Sequence, residues 1–368
     1  MRRLVLPAVF LADLLMVWLL RGWDYFPFAA TFGLSLLLTM VFSPLVQALA
    51  IRMGAMDKPN PRKVHKTPTP LWGGIAIYLS FYTSVAIILL FFLNRDMAAS
   101  LAHIAGGITG SSATAIIGFQ QASARLNVLG LFLGGTLMLI LGMVDDKLSI
   151  SPKVKLVGQL AICAILIACG VRIEYIRNPF HTEVVYFDRW LIAAGTVFWL
   201  VGITNAINLL DGLDGLLAGV AAISSALFFL IALSQGQYLV ALLLAALCGA
   251  TLGFLRDNFN PARVFMGDTG SLLIGMLFAS LSIMGSLKTN TTLAVLATAF
   301  VMGVPILDTS MAIVRRLLKR QHIFSADKEH LHHKLLGRGL SQRQAVLFIY
   351  AVNGLLGLTG VYFAFLHR

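Results

Sequence analysis

Residues Leu191–Leu233 read LIAAGTVFWLVGITNAINLLDGLDGLLAGVAAISSALFFLIAL. Two apolar runs, Leu191–Ile207 and Leu216–Leu233, flank a junction of Asn, Asp and Gly. A helix needs about 20 mostly apolar residues to cross the bilayer core. The stretch therefore predicts two membrane-crossing helices joined by a polar turn. Nine further runs lie outward from it: Leu4–Leu20, Phe28–Ile51, Leu71–Leu93, Val128–Val144, Val157–Val171, Tyr238–Leu255, Leu272–Gly285, Leu293–Val314 and Ala345–Leu366. The runs at Val157 and Leu272 are short, and the Gly/Ser/Thr-rich stretch Ile104–Phe119 reads as a loop. The expected fold class is an all-α polytopic integral membrane protein with about 11 transmembrane helices.

Composition agrees. Of 368 residues, 58% are hydrophobic and only 12% are charged, against about 25% charged in a soluble domain. That disfavours an ordinary water-soluble enzyme, a disordered chain and a free nucleic-acid-binding domain. The net charge of +12 still admits nucleic acid, anionic lipid or an anionic substrate. Its placement decides. With the N-terminus inside and the spans alternating, twenty of the 28 Lys and Arg fall on one side. The positive-inside rule assigns that side to the cytoplasm. The protein is therefore expected in the plasma membrane, with cytoplasmic active-site loops. The first span carries Asp13 and lacks a clean small-residue cleavage site, so it reads as retained. Cys163, Cys169 and Cys248 lie in spans without CxxC spacing and read as packing residues. The expected organisation is an extra N-terminal span in 1–27, a membrane core in 28–345 and a C-terminal span in 346–368.

Polar groups at membrane depth are costly, so their clusters are the candidate sites. Asp145-Asp146 ends the fourth run. Adjacent carboxylates near lipid repel, which invites a divalent cation or a cationic partner. Ser151-Pro152 reads as an N-cap and first helical residue, with Lys153 and Lys155 in the first turn. In the opening stretch Asn205, Asn208, Asp211 and Asp214 step by threes, so neighbours share a face. At about 100° per residue, Asn205 and Asp214 nevertheless point oppositely. All four converge only where the helix ends or bends, and Gly212 and Gly215 permit a break. Such hard oxygen donors suit Mg²⁺, and carboxylates also serve as bases.

Phe265–Ser271, FMGDTGS, opens the ninth span. Asp268, Thr269 and Ser271 can cap a helix there, and its amides can face phosphate. Asp268 opposes a bare anion, which favours a metal–phosphate site. In the Asp57–Gly74 loop, Arg62, Lys63, His65 and Lys66 can engage phosphate charge, or simply fix topology. His330, His332 and His333 form an HLHH segment. Without Cys or HExxH nearby, phosphate hydrogen bonding is favoured over zinc. Ser341 and Gln344 read as a capping box for the last span. Pro305 should kink the tenth span. Asp308, one turn later, either lines the same cavity or pairs with Arg315 or Arg316.

These residues resemble the polyprenyl-phosphate N-acetylhexosamine-1-phosphate transferase superfamily, glycosyltransferase family 4. Four motifs match in order: DKPNPRKVHKTPTPLWGG at Asp57, GMVDDKLSISPKVK at Gly142, NAINLLDGLDGL at Asn205 and FMGDTGS at Phe265, with HLHHKLL at His330 as a fifth. The resemblance spans about Phe28 to Ala345. The first loop and the HLHH segment are more similar to the WecA/TagO-like branch, which uses UDP-N-acetylglucosamine, than to the related MraY branch, which takes UDP-N-acetylmuramoyl-pentapeptide. The resemblance implies transfer of a sugar-1-phosphate from a UDP-N-acetylhexosamine to undecaprenyl phosphate in the lipid bilayer, releasing UMP. It implies Mg²⁺ as cofactor, with Mn²⁺ as a substitute, no nucleic acid, and it admits a homodimer. Asn208 and Asp268 are the implied metal ligands. Asp145, Asp146, Asp211 and Asp214 are the implied catalytic carboxylates. Lys66, Lys155, Asn205, His330, His332 and His333 are on the substrate side. A phosphate monoester's second pKa is near 6, so the Asp pair is expected to matter more for positioning and electrostatics than for proton removal.

Two rivals make different demands. An anion transporter predicts charges near the bilayer midplane and an inverted repeat, but the acids here crowd the helix ends. A CDP-alcohol phosphotransferase carries a signature resembling DGxxAR, and DGLDGLLAG lacks its Ala-Arg.

Overall fold

The computed structural model describes residues 26–59, 67–93, 122–173, 175–177, 184–186, 188–286, 299–319 and 330–366. Within these the chain is almost wholly helical. The order is α1 Phe26–Met53, β1 Met56–Asp57, β2 Thr69–Pro70, α2 Gly73–Leu93, α3 Ala122–Leu148, α4 Pro152–Ala168, β3 Tyr175–Arg177, β4 Val184–Tyr186, α5 Arg189–Leu210, α6 Leu216–Ser234, α7 Tyr238–Asn258, α8 Gly267–Ser286, α9 Gly303–Leu318, α10 Leu331–Gly337 and α11 Gln342–Leu366. The strands form two short antiparallel pairs, Met56 opposite Pro70 and Tyr175 opposite Tyr186.

Eight of the described helices are long and apolar enough to span a membrane. The chain is a multi-pass membrane protein. The run at Val157 is short as expected, 17 residues in α4. The run at Leu272 is not: α8 extends back to Gly267 and reaches 20 residues. The polar GDTGS segment is itself helical, so the apolar window understates the helix. The run Leu4–Leu20, the loop Ile104–Phe119 and the start of the tenth run lie outside the described residues.

Helix α8 is the axis of the bundle. It packs against α2, α3 and α5, and 89% of its apolar window is buried, against 28% for α11. Phe198 on α5 and Leu355 on α11 instead point outward. In lipid, helices associate through close packing and polar contacts rather than hydrophobic exclusion. Gly253 lies against the carbonyl of Leu36, and the Ser35 hydroxyl donates to Ala246 O at 2.8 Å.

Two prolines leave carbonyls without a helical donor, and each finds one elsewhere. Pro44 in α1 cannot serve Met40 O, which accepts from Arg256 Nη2 at 2.8 Å. Pro305 cannot serve Val301 O, which accepts from Ser224 Oγ at 3.1 Å. The helix is interrupted at Met302, as Pro305 predicts. Both expected caps form as well. Ser151 Oγ accepts from Val154 N with Pro152 at the first helical position. Ser341 N donates to Gln344 Oε1 at 2.9 Å.

Candidate active site

The turns between α1 and α2, α3 and α4, α5 and α6, α7 and α8, and the α10–α11 segment meet at one end of the bundle. They enclose a cavity of about 530 Å³. Asp57, Asp145, Asp146, Asn208, Asp211, Asp214, Asp268, His332 and His333 all contribute to its wall. The loops counted as cytoplasmic in the sequence are the loops that build it.

Backbone contact sets the geometry. The chain before α2 runs beside the chain before α8: Phe265 N donates to Pro70 O at 2.8 Å, and Gly73 N to Phe265 O at 3.0 Å. On α3, a Cβ at Gly142 would lie 2.5 Å from Asp268 O, so only glycine lets α3 approach this closely. That approach carries Asp145 and Asp146, one turn later, to the start of α8.

The two neighbouring acids then do different things. Asp146 Oδ1 accepts from Asp268 N at 2.8 Å, and its Oδ2 accepts from Thr269 N at 3.1 Å and Thr269 Oγ1 at 2.5 Å. A side chain from another helix thus caps α8. This corrects the expectation that these amides face phosphate, because Asp146 already occupies two of them. Asp145 instead meets Lys155 Nζ at 2.8 Å, and Lys155 also reaches Asp268 Oδ2 at 2.5 Å. Asn208 Nδ2 donates to Asp268 Oδ1 at 2.6 Å and to Ser271 Oγ at 2.7 Å. Lys155, Asp145, Asp268 and Asn208 therefore form one connected cluster.

The α5 helix ends at Leu210, and Gly215, at φ +79°, turns the chain into α6. The anticipated break brings Asn208, Asp211 and Asp214 to the wall. Asn205 does not follow. It pairs with Gln159, Nδ2 to Oε1 at 2.8 Å, and it is absent from the cavity wall. One helical turn before the break, it still points along the helix face toward α4. Asp214 is at the wall but tied down, accepting from Asn260 Nδ2 and Ala262 N, each at 3.0 Å. Lys66 lies outside the described residues.

Several contributors were not singled out in the sequence. Asn258 Oδ1 accepts from Gly215 N at 3.1 Å, and its Nδ2 donates to Val264 O at 2.9 Å, joining two cavity turns. Asn260 also donates to Gln342 Oε1 at 2.8 Å. Two Asn at the end of an apolar span were the available signal. Gln342 was hidden beside the capping box.

The wall is strongly acidic. Burial, then the charges of Asp268, Asp146 and Asp214, push the Asp211 carboxyl up to about 8. Among the described residues nothing donates to the Asp211 carboxylate or to Asn208 Oδ1. No three His, Cys, Asp or Glu side chains among the described residues form a closed metal cage. Mg²⁺ would ask for fewer protein ligands: it takes one or two carboxylates and completes its shell with water and substrate phosphate. Asn208 Oδ1 and Asp268 are the oxygens suited to it, with Asp211 beside them.

The three histidines divide in a way the sequence did not suggest. His332 and His333 line the cavity, whereas His330 lies behind them and binds Asp308. Asp308 thus takes neither the cavity wall nor an arginine as its principal partner; its oxygens hold His330 and Leu331 N, each at 2.9 Å. Burial, then His333 and His330, lower His332 to about 4. It is neutral at pH 7 and offers hydrogen bonds rather than charge. Its unfolded pKa is about 6.5, so in the acid range the unfolded chain takes up a proton that the folded chain refuses. Stability from this group is complete above about pH 6.5 and is lost as pH falls toward 4. His332→Gln should therefore flatten the decline in melting temperature between those values; an unchanged slope would contradict the neutral assignment.

Residues 128–286 match the family model described as Glycosyl transferase family 4. The chain is 38% identical over 331 residues to the probable undecaprenyl-phosphate N-acetylglucosaminyl 1-phosphate transferase of Bacillus subtilis (strain 168), covering 90% of this chain and 83% of that protein. It is 33% identical over 331 residues to the decaprenyl-phosphate N-acetylglucosaminephosphotransferase of Mycolicibacterium smegmatis, covering 84% and 76% respectively. It is also 33% identical over 342 residues to the phospho-N-acetylmuramoyl-pentapeptide-transferase of Bacillus cytotoxicus, covering 90% and 94%.

Proposed function

This chain belongs to glycosyl transferase family 4, within the polyprenyl-phosphate N-acetylhexosamine-1-phosphate transferase superfamily, and from that membership we propose that it transfers N-acetylglucosamine-1-phosphate from UDP-N-acetylglucosamine to undecaprenyl phosphate, releasing UMP. One observation carries the reading: the Lys155–Asp145–Asp268–Asn208 cluster sits in an acidic cavity at the ends of membrane-crossing helices. A water-soluble donor and a lipid acceptor must meet at such an interface. The twenty basic residues that the alternating-span count assigns to this side support the cytoplasmic face of the plasma membrane.

In the reaction, an oxygen of the lipid phosphate attacks the β-phosphorus of the UDP-sugar. The bond from that phosphorus to the bridging oxygen breaks, and UMP leaves with the oxygen and its electron pair. Mg²⁺, when bound, neutralises charge developing on the diphosphate. Asn208 and Asp268 would hold it, Asn208 by its free Oδ1. Lys155 fixes Asp268 and Asp145 in place and lowers their mutual repulsion. Asp146 acts one step back, by fixing the start of α8 on which Asp268 stands. His332 and His333 supply hydrogen bonds from the cavity wall beside the Gly212 turn. A dedicated base is weakly needed, since the acceptor phosphate is largely ionised at neutral pH.

The relatives' names favour N-acetylglucosamine over the muramoyl-pentapeptide donor, because the former stands on the 38% identical protein. Muramoyl-pentapeptide transfer is the second reading, supported by the Bacillus cytotoxicus relative. A panel of UDP-sugars, assayed for UMP release in detergent with undecaprenyl phosphate, separates the two. UDP-N-acetylglucosamine should be the preferred donor. Preference for UDP-N-acetylmuramoyl-pentapeptide would overturn that choice while leaving the reaction class intact.

A further inference from the structure

We propose that Asp308 is the positioning residue for the histidine wall of the cavity. Its carboxylate clamps the start of α10 and so aims His332 and His333 at the substrate. The roles of those two histidines rest on the transferase reading above; the clamp itself rests on geometry.

Helix α10 has seven residues, too few to be stable alone. Its first amides need acceptors, and His330, at the N-cap position, gives its own helix no side-chain cap bond. Asp308 on α9 fills the gap. Asp308 Oδ1 accepts from Leu331 N at 2.9 Å, and Asp308 Oδ2 lies 2.9 Å from His330 Nδ1. Both side chains are buried, 4% and 7% exposed. With the carboxylate as acceptor, His330 Nδ1 carries the proton, and the ring cannot turn without losing the bond.

That orientation passes to the cavity. The His330 and His332 rings are parallel within 5° at 6.0 Å, and His332 and His333 lie 4.3 Å apart. His332 Nε2 seats against Gly212, where an added Cβ would come within 2.5 Å. A displaced α10 therefore also leaves the turn that carries Asp211. Pro305 and the interruption at Met302 set where α9 begins, and so where Asp308 stands.

The test compares Asp308→Ala, Asp308→Asn, His330→Ala and the Asp308→Ala/His330→Ala double variant in wild-type lipid and detergent. Asp308→Ala should lower kcat/KM about 10- to 100-fold, the range for residues that orient others, with most of the loss in KM for the UDP-sugar. Asp308→Asn, which keeps one acceptor, should fall between it and wild type. The double variant should be no worse than the more impaired single. A lower melting temperature with wild-type kcat/KM per folded enzyme would overturn the proposal, and so would multiplicative losses in the double variant. Hydrogen exchange of residues 331–337 tests the clamp without any activity. Exchange should quicken at least about tenfold in Asp308→Ala, as expected when local opening becomes easier; unchanged exchange would overturn it. Should the wild type release no UMP from any UDP-amino-sugar, the transferase reading fails, and the exchange result still decides the clamp.

Discussion

Asp268→Ala is expected to all but abolish turnover, with kcat down by about 10²- to 10³-fold, the scale for removing a preorganised electrostatic group, while the protein still inserts and folds. Asp268 joins Lys155 to Asn208. Its loss removes a proposed metal oxygen and leaves the Asn208 amide held by Ser271 Oγ alone. Lys155 keeps Asp145 as a partner, so no buried ammonium is stranded. The helix start survives too, because it depends on the Asp268 backbone amide and not on its side chain. Loss of kcat with an unchanged size-exclusion profile and melting temperature is the expected pattern. Retained turnover would remove Asp268 from the metal role.

The adjacent acids should separate in opposite directions. Asp146→Ala deletes the acceptor of three hydrogen bonds at the start of α8. Bonds to a charged group contribute about 1.5–3 kcal/mol each, but losing Asp146 also relieves its repulsion with Asp268. A net destabilisation of about 3 kcal/mol is expected, with activity falling because Asp268 is displaced. Asp145→Asn weakens the Lys155 contact and removes the charge that Asp145 sets beside Asp268. It should leave the melting temperature near wild type and cut kcat by about 10²-fold, as for a residue that orients a charged partner. Thermal unfolding and kcat measured on both variants check this. Equal destabilisation by the two would contradict the division of labour between them.

The sequence already held most of this picture, and the reasons are specific. Spans are legible because lipid demands long apolar runs, and charge scarcity left few acids to inspect. The break after Leu210 could be read from Gly212 and Gly215. The distinction between Asp145 and Asp146 could not. It depends on a contact between α3 and α8 that Gly142 permits over a separation of more than a hundred residues. Asn205 was drawn into the site by its three-residue spacing, yet that spacing constrains only neighbours on one helix, and Gln159 on α4 claims it. The placement of charge also changed. The basic loops read as partners for phosphate charge, whereas the described wall is acidic and Lys155 is already engaged by two carboxylates. A diphosphate at such a wall would need a counter-cation, which is the part the proposed Mg²⁺ would play.

The central claim is that this acidic cavity performs Mg²⁺-dependent sugar-1-phosphate transfer. Its most direct test follows UMP release from UDP-N-acetylglucosamine and undecaprenyl phosphate by purified protein in detergent, with and without a chelator. The account predicts UMP formed in step with undecaprenyl-diphosphate-N-acetylglucosamine, lost on chelation and restored by Mg²⁺. No UMP from folded protein with any UDP-amino-sugar, or full turnover after chelation, would contradict it.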